Sequence, residues 1–273
     1  PAPWINVISN GKFGFHISEN GVSYTWYKNS RENKLTPWSN DWVKDNQGEF
    51  IYLKDEETYD IWSISPKPKR NSGKYIIEHG FGYSTYRNKS FGIVGEMTSF
   101  VPLEDNVKVI LVNLKNNTDI KREISVTYYA QLTLGVDSHH TSRYISTYKN
   151  DDYDYIYAKN PYNTYFGDLI AYCKVIGGEQ ISYTGDRMEF IGVDGSLENP
   201  NGLKNDMLSN TLGSGMDPCI AINEKVILNP GEEKTVFILL GQEDNIEKID
   251  SVIEKYENEE SVLNELKRVK SYL

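Results

Sequence analysis

With 29 Lys and Arg against 39 Asp and Glu, this chain of 273 residues has a formal net charge of −10 and no cationic cluster long enough to track a phosphate backbone, which excludes nucleic acid as a partner. No apolar run is long enough to cross a membrane as a helix, and Cys173 and Cys219 stand apart in apolar or strand-like surroundings, which reads as two buried thiols rather than a disulfide scaffold or a zinc site. The 20 tyrosines and 12% aromatic residues exceed what packing alone needs; they fit half-exposed strand faces, with surfaces on which a sugar can stack.

The opening Pro1-Ala2-Pro3-Trp4, with no initiator Met and no signal-type start, reads as a piece of a longer polypeptide. Residues 29–41 then pack Asn29, Arg31, Glu32, Asn33, Trp38, Asn40 and Asp41 into one loop. Polar forks and a ring together suit a polyhydroxylated ligand, while a surface loop held by its own Asx turns explains the same residues. Lys67-Pro68-Lys69-Arg70 is a turn with solvated charges. Four strands are predicted at 75–86, 91–101, 107–114 and 124–134, broken at Arg87-Asn88-Lys89, at 102–106 and at 115–119. Alternation in 108–114 and 123–128 predicts one apolar and one polar face.

Further strands are predicted at 145–148, 155–158, 169–176, 180–184, 219–228 and 234–240, the last two forming a hairpin around Asn229-Pro230-Gly231-Glu232. No helical period of useful length precedes residue 240, so the body is all β and a Rossmann or α/β-barrel fold is excluded. After Gly241, Ile246, Ile249, Val252, Ile253 and Tyr256 recur at helical spacing behind Asn245 as N-cap; a second helix, capped by Ser261, carries Val262, Leu263, Leu266, Val269 and Leu273 on one face.

Three segments hold chemistry-bearing residues. In Asp137-Ser138-His139-His140-Thr141-Ser142-Arg143-Tyr144 the adjacent histidines, on extended backbone, point opposite ways and make a poor metal pair. The segment also fits a lyase site, with Arg neutralising a carboxylate while His or Tyr removes a proton, or a polar loop with one buried imidazole. Asp186-Arg187 reads as structural, fixing a loop through charge-assisted hydrogen bonds. Gly213-Ser214-Gly215-Met216-Asp217-Pro218 has no following Lys or helix and is a turn entering a strand, not a phosphate cradle.

The order of several short motifs adds to this. Pro1-Ala2-Pro3-Trp4-Ile5-Asn6-Val7-Ile8, the 29–41 run, His79-Gly80-Phe81-Gly82-Tyr83, Phe100-Val101-Pro102-Leu103, Thr184-Gly185-Asp186-Arg187-Met188-Glu189-Phe190-Ile191-Gly192, Gly213 to Cys219 and Asn229 to Glu232 together resemble the N-terminal β-sandwich domain of the cyclic β-1,2-glucan synthase and cellobiose phosphorylase family of glycoside phosphorylase-like enzymes. The resemblance implies a large antiparallel β-supersandwich, galactose mutarotase-like, over 1–241, with 242–273 as a helical linker toward a helical-barrel catalytic domain that this chain does not contain. It implies a non-catalytic carbohydrate-binding and docking role, with no catalytic residue and no metal in the chain, in an enzyme acting on β-glucan.

Arg143 matches an arginine that reaches toward the sugar cleft in related phosphorylases, with His140, Arg31 and Trp38 as further substrate contacts and Asp186 and Arg187 as structural residues. Expected partners are a β-glucan or gluco-oligosaccharide, the barrel domain and a second copy in a homodimer, with no membrane contact from this segment. The expected location is cytoplasmic, the parent protein facing the cytoplasm at the inner membrane. No cofactor is expected; inorganic phosphate is co-substrate if the whole enzyme is phosphorolytic. Two rivals remain: a self-sufficient mutarotase-like epimerase or polysaccharide lyase, drawing its base from His16, His79, His139 or His140, and a free-standing carbohydrate-binding module using Trp4, Trp26, Trp38, Trp42 or Trp62.

Overall fold

The computed structural model describes residues 3–38 and 48–272, so Ser39, Asn40, Asp41 and Trp42, part of the sequence reading above, lie outside the described residues. Two antiparallel sheets stack face to face. The first takes β1 (Ile5–Ser9), β2 (Phe13–Ser18), β3 (Ser23–Tyr27), β4 (Glu49–Asp55), β10 (Arg122–Gln131), β15 (Pro218–Leu228) and β14 (Glu179–Asp186) in that spatial order, with β5 (Ile61–Trp62) on β4. The second runs β11 (Ser146–Asn150), β12 (Tyr155–Lys159), β13 (Ile170–Ile176), β16 (Glu233–Glu243), β9 (Val107–Asn116), β8 (Ile93–Phe100), β7 (Tyr83–Ser90) and β6 (Tyr75–Gly80). The all-β expectation holds.

The strand alternation explains the core, and corrects one expectation. In β9, Ile110, Val112 and Leu114 point into the space between the sheets, where they meet Ile124, Val126 and Tyr128 of β10. The other face of β9 is also apolar: Val107, Val109 and Leu111 sit under two C-terminal helices, α3 (Ile246–Lys255) and α4 (Glu259–Tyr272), packed through Ile249, Val252, Ile253, Val262 and Leu266. A strand covered on both sides needs no polar face. The outer face of the first sheet is closed by the 187–210 segment, with α2 (Arg187–Ile191) laying Phe190 flat on Tyr129 at 4.9 Å between ring centroids.

Other boundaries differ for local reasons. Residues 75–86 are not one strand but the β6–β7 hairpin, turned at Phe81-Gly82 where Gly82 has φ 76°; the expected break at Arg87-Asn88-Lys89 lies inside β7, whose register with β8 is continuous, and the turn follows at Phe91-Gly92. Gly supplied the turn signal, and charged residues on a two-sided strand edge imitated one. The Pro-Gly segment 229–232 does not close a hairpin: β15 pairs with β10 and β14, β16 with β13 and β9, so the chain there steps from one sheet to the other. The α3 cap is Asn245 as expected, but α4 is capped by Asn258, whose side chain accepts from the Ser261 N–H at 3.0 Å.

Between the sheets lies a polar centre. Lys108 shares the inward face of β9 with Ile110, and its ammonium reaches Glu49 Oε2 of β4 at 2.8 Å and Ser23 Oγ at 2.7 Å, 4.3 Å from the Phe15 ring centroid. Glu49 is completed by Thr25 and Thr36 hydroxyls at 2.6 Å each and by the Tyr128 hydroxyl at 3.2 Å. Burial works to raise the Glu49 carboxyl, yet the Lys108 charge and these donors outweigh it and hold it below the ordinary range; burial lowers Lys108. Through Thr36 this centre also anchors the loop that follows β3.

Candidate functional site

Three loops meet beside the ends of β3, β10 and β12 and enclose a groove of about 520 Å³. Its walls include Glu32, Asp137, His140, Tyr144, Asn160, Tyr162 and Tyr165. Each loop is shaped by short polar side chains that satisfy their own backbone. Asn29 Oδ1 accepts from the Arg31 and Glu32 N–H groups at 2.9 Å, an Asx turn that sets Glu32 at the rim. Lys34 exchanges backbone hydrogen bonds with Gly135, and its buried ammonium donates to the Val136 carbonyl at 2.6 Å, fastening the first loop to the second.

In the second loop Asp137 caps α1 (Ser138–Thr141), accepting from the His140 N–H at 3.1 Å and from its Nδ1 at 2.7 Å. Partial burial works to raise the Asp137 carboxyl, but the His140 ring and backbone donors prevail and hold it below its ordinary range. The third loop is built on Asn160 and Asn163: their amide groups donate to the Leu134 carbonyl at 2.9 and 3.3 Å, and their oxygens accept from the Tyr162, Tyr165 and Phe166 N–H groups. Those turns lift Tyr162 and Tyr165, 73% and 84% exposed, clear of the surface, and Tyr162 stacks on Tyr144 with centroids 4.5 Å apart.

A wall of phenol rings facing carboxylates, amides and an imidazole can hold a sugar ring by its apolar face and hydroxyl edge. Of the expected substrate contacts, His140 lines the groove; Arg143 is not one of its walls but lies against one, its guanidinium carbon 5.8 Å from the Tyr144 centroid. Arg31 is exposed beside Glu32, at 3.4 Å. Trp38 belongs elsewhere, packing at 5.8 Å on Tyr24, which in turn meets His16. The 137–144 segment is not extended: a helical turn followed by a 3-10 turn, Ser142–Tyr144, replaces the alternating geometry. Sequence reasoning missed Tyr162, Asn163 and Tyr165, although Asn160-Pro161-Tyr162-Asn163-Thr164-Tyr165, turn formers interleaved with aromatics, was there to be read.

Asp186 and Arg187 act separately. Asp186 caps α2 through the Met188 N–H at 2.9 Å, while Arg187 pairs with Asp217 at 2.8 Å and lies against Tyr129. Family comparison then decides the chain's affiliation: residues 1–259 match the model of the glycosyl hydrolase 94 supersandwich domain. The chain belongs to that family.

Among curated relatives, the cyclic beta-(1,2)-glucan synthase NdvB of Rhizobium meliloti is 29% identical over 93% of this chain and 9% of its own length. The N,N'-diacetylchitobiose phosphorylase of Vibrio furnissii is 30% identical over 88% of this chain and 31% of its own. The chain thus spans less than a third of each of these two relatives. Among solved structures, a bacterial glucoamylase complexed with acarbose superposes with TM-score 0.60 at 11% identity, over 99% of this chain and 38% of that one, which shows the shared fold. The architecture is the galactose mutarotase-like supersandwich that the sequence motifs implied.

Among the described residues burial raises two carboxyls, Glu224 and Glu243, toward the proton affinity expected of an acid catalyst. Burial pushes Glu224 up to about 7; it is 1% exposed, accepts from the Gly178 N–H at 2.7 Å and sits on β15 at the β13–β14 turn rather than in the groove. A group sealed in this way can set stability against pH but reaches no substrate.

Proposed function

We propose that this supersandwich is the carbohydrate-binding and docking domain of a glycoside phosphorylase or transglycosylase acting on β-glucan, of the cyclic β-1,2-glucan synthase type. The observation that carries this reading is the tyrosine-walled groove at the loop end of a glycosyl hydrolase 94 supersandwich. Inverting phosphorolysis needs a protonated acid at the glycosidic oxygen and an anion site for phosphate on the opposite face. Asp137, the groove carboxylate next to His140, is held in its ionised form and suits hydroxyl recognition better than proton donation. On this reading the acid and the phosphate site come from a helical-barrel domain of the parent enzyme, and Arg143, His140 and Arg31 contribute to the edge of the shared cleft.

Two measurements on the chain test the proposal. Titration calorimetry with β-linked gluco-oligosaccharides should show binding that Tyr162→Ala weakens without moving Tm. A sugar-phosphate assay on the same glucans in phosphate buffer should show no turnover. Turnover abolished by substitution of His139 or His140 would overturn the docking role in favour of a self-sufficient enzyme.

A further inference from the structure

On the outer face of the second sheet one stretch of strand lies uncovered between α3 and the groove. In the β11–β12 hairpin Ser146 faces Lys159, Tyr148 faces Tyr157 and Asn150 faces Tyr155, and strand alternation puts these three pairs on one side. The Tyr155 end of this row is closed: its ring is buried in the cluster that includes Ile249 and Val252 of α3, and its hydroxyl meets Asp250 at 3.0 Å. The Lys159 end runs toward the groove, since the next residue along the chain, Asn160, is one of its walls.

Between the two ends Tyr148 and Tyr157 stack, centroids 5.1 Å apart and planes 20° from parallel. Tyr148 is 43% exposed, and the Lys159 ammonium stands 5.8 Å from the Tyr157 centroid. Among the described residues no strand pairs with the far side of β11; Gly213 meets that edge, its carbonyl accepting from the Thr147 N–H at 2.9 Å, and leaves the Tyr148 ring exposed. At about 3.3 Å per residue, Tyr157 lies roughly 10 Å along β12 from the groove wall at Asn160.

Stacked tyrosines therefore occur twice along one hairpin and its flanks, once in the groove as Tyr144 and Tyr162 and once outside it as Tyr148 and Tyr157. The residues joining them, Ser146 and Lys159, are hydrogen-bond donors rather than aliphatics. A protein partner would be met by a patch of branched apolar side chains; phenol faces rimmed by hydroxyl and ammonium groups fit the two-sided chemistry of sugars.

We infer that the Tyr148–Tyr157 platform is an outer subsite for the β-linked gluco-oligosaccharide whose end occupies the groove, so that long chains engage both tyrosine pairs and short ones only the inner pair. This rests on the groove being a glucan site, and one experiment separates the two readings. Calorimetry on the chain uses a β-linked glucose disaccharide and a long oligosaccharide of the same linkage, with wild type, Tyr148→Ala, Tyr148→Phe and Tyr162→Ala.

Wild type binds the long sugar more tightly. Tyr148→Ala loses that advantage, about fivefold for one stacking ring, and leaves the disaccharide unchanged. Tyr148→Phe, which keeps the ring, behaves as wild type, and Tyr162→Ala weakens both sugars. Long-sugar affinity untouched in Tyr148→Ala, with wild-type Tm and disaccharide binding intact, overturns the outer subsite and leaves the groove standing. Failure of wild type to bind either sugar overturns the groove reading, and the outer subsite with it.

Discussion

Two acid–base pairs in this molecule live in opposite media. Glu49 and Lys108 meet in the middle of the sandwich, with side chains 2% exposed, both Glu49 oxygens accepting and the ammonium donating to Glu49 and Ser23. Asp137 and His140 meet at the groove, with side chains 43% and 82% exposed. The first pair has given up its water and can only hold parts together; the second keeps its water and can exchange it for a ligand's hydroxyls. Burial, more than residue type, separates scaffold from site here.

The comparison is broken most directly at Lys108. Lys108→Met leaves the Glu49 carboxylate buried without its counter-charge, and should cost about 3–5 kcal/mol in urea unfolding. The double variant Glu49→Gln with Lys108→Met removes both charges and should recover much of the loss, because replacing a buried pair costs far less than orphaning one member. Wild-type stability in the single variant would show that water reaches the centre and that the two pairs differ less than their burial implies.

Glu224 extends the comparison to a buried group without a counter-charge in contact. Burial favours its neutral form, with the Asp154 charge adding to this while the Gly178 N–H and Lys174 oppose it, and its folded value is about 7 against an ordinary 4.5. Between those values the folded state holds more proton than the unfolded one, so stability falls as pH rises through the window and is unaffected below it. Glu224→Gln should be more stable than wild type by up to about 2–3 kcal/mol near about pH 8, and should show no gain near about pH 4. Parallel pH profiles for the two proteins would mean that Glu224 ionises freely in the fold.

Which parts of this were legible in the sequence follows from the same contrast. Strands such as β9 and β16 were readable because β-branched runs bounded by turn residues say strand whatever packs on them. The Pro-Gly corner was misread because turn chemistry fixes a local bend and not the sheet to which the next strand belongs. Lys108, in an alternating run, looks like any outward lysine; only the parity of β9 against Ile110 and Val112 reveals that it points inward. Around the candidate groove, His140 and Arg143 were singled out because they are chemically conspicuous, while Tyr162 and Tyr165 were lost among 20 tyrosines until the Asn160 and Asn163 turns set them apart.

The smallest effect is expected at Arg143, on the solvated side of the comparison. Its exposed guanidinium lies over Tyr144, a wall of the groove, from where it would donate to a neutral sugar hydroxyl. Truncation to Ala removes one such hydrogen bond and should cost about 0.5–1.5 kcal/mol in glucan affinity, a loss of roughly two- to twelvefold. Because the side chain is exposed, Tm should stay at the wild-type value. A substrate contact and a packing residue are thereby told apart in one variant: affinity lost at constant Tm places Arg143 with Asp137 and His140, whereas Tm lost together with affinity would place it with the scaffold. Affinity unchanged by the truncation would remove Arg143 from the site and leave glucan recognition to the tyrosines, His140 and the groove amides.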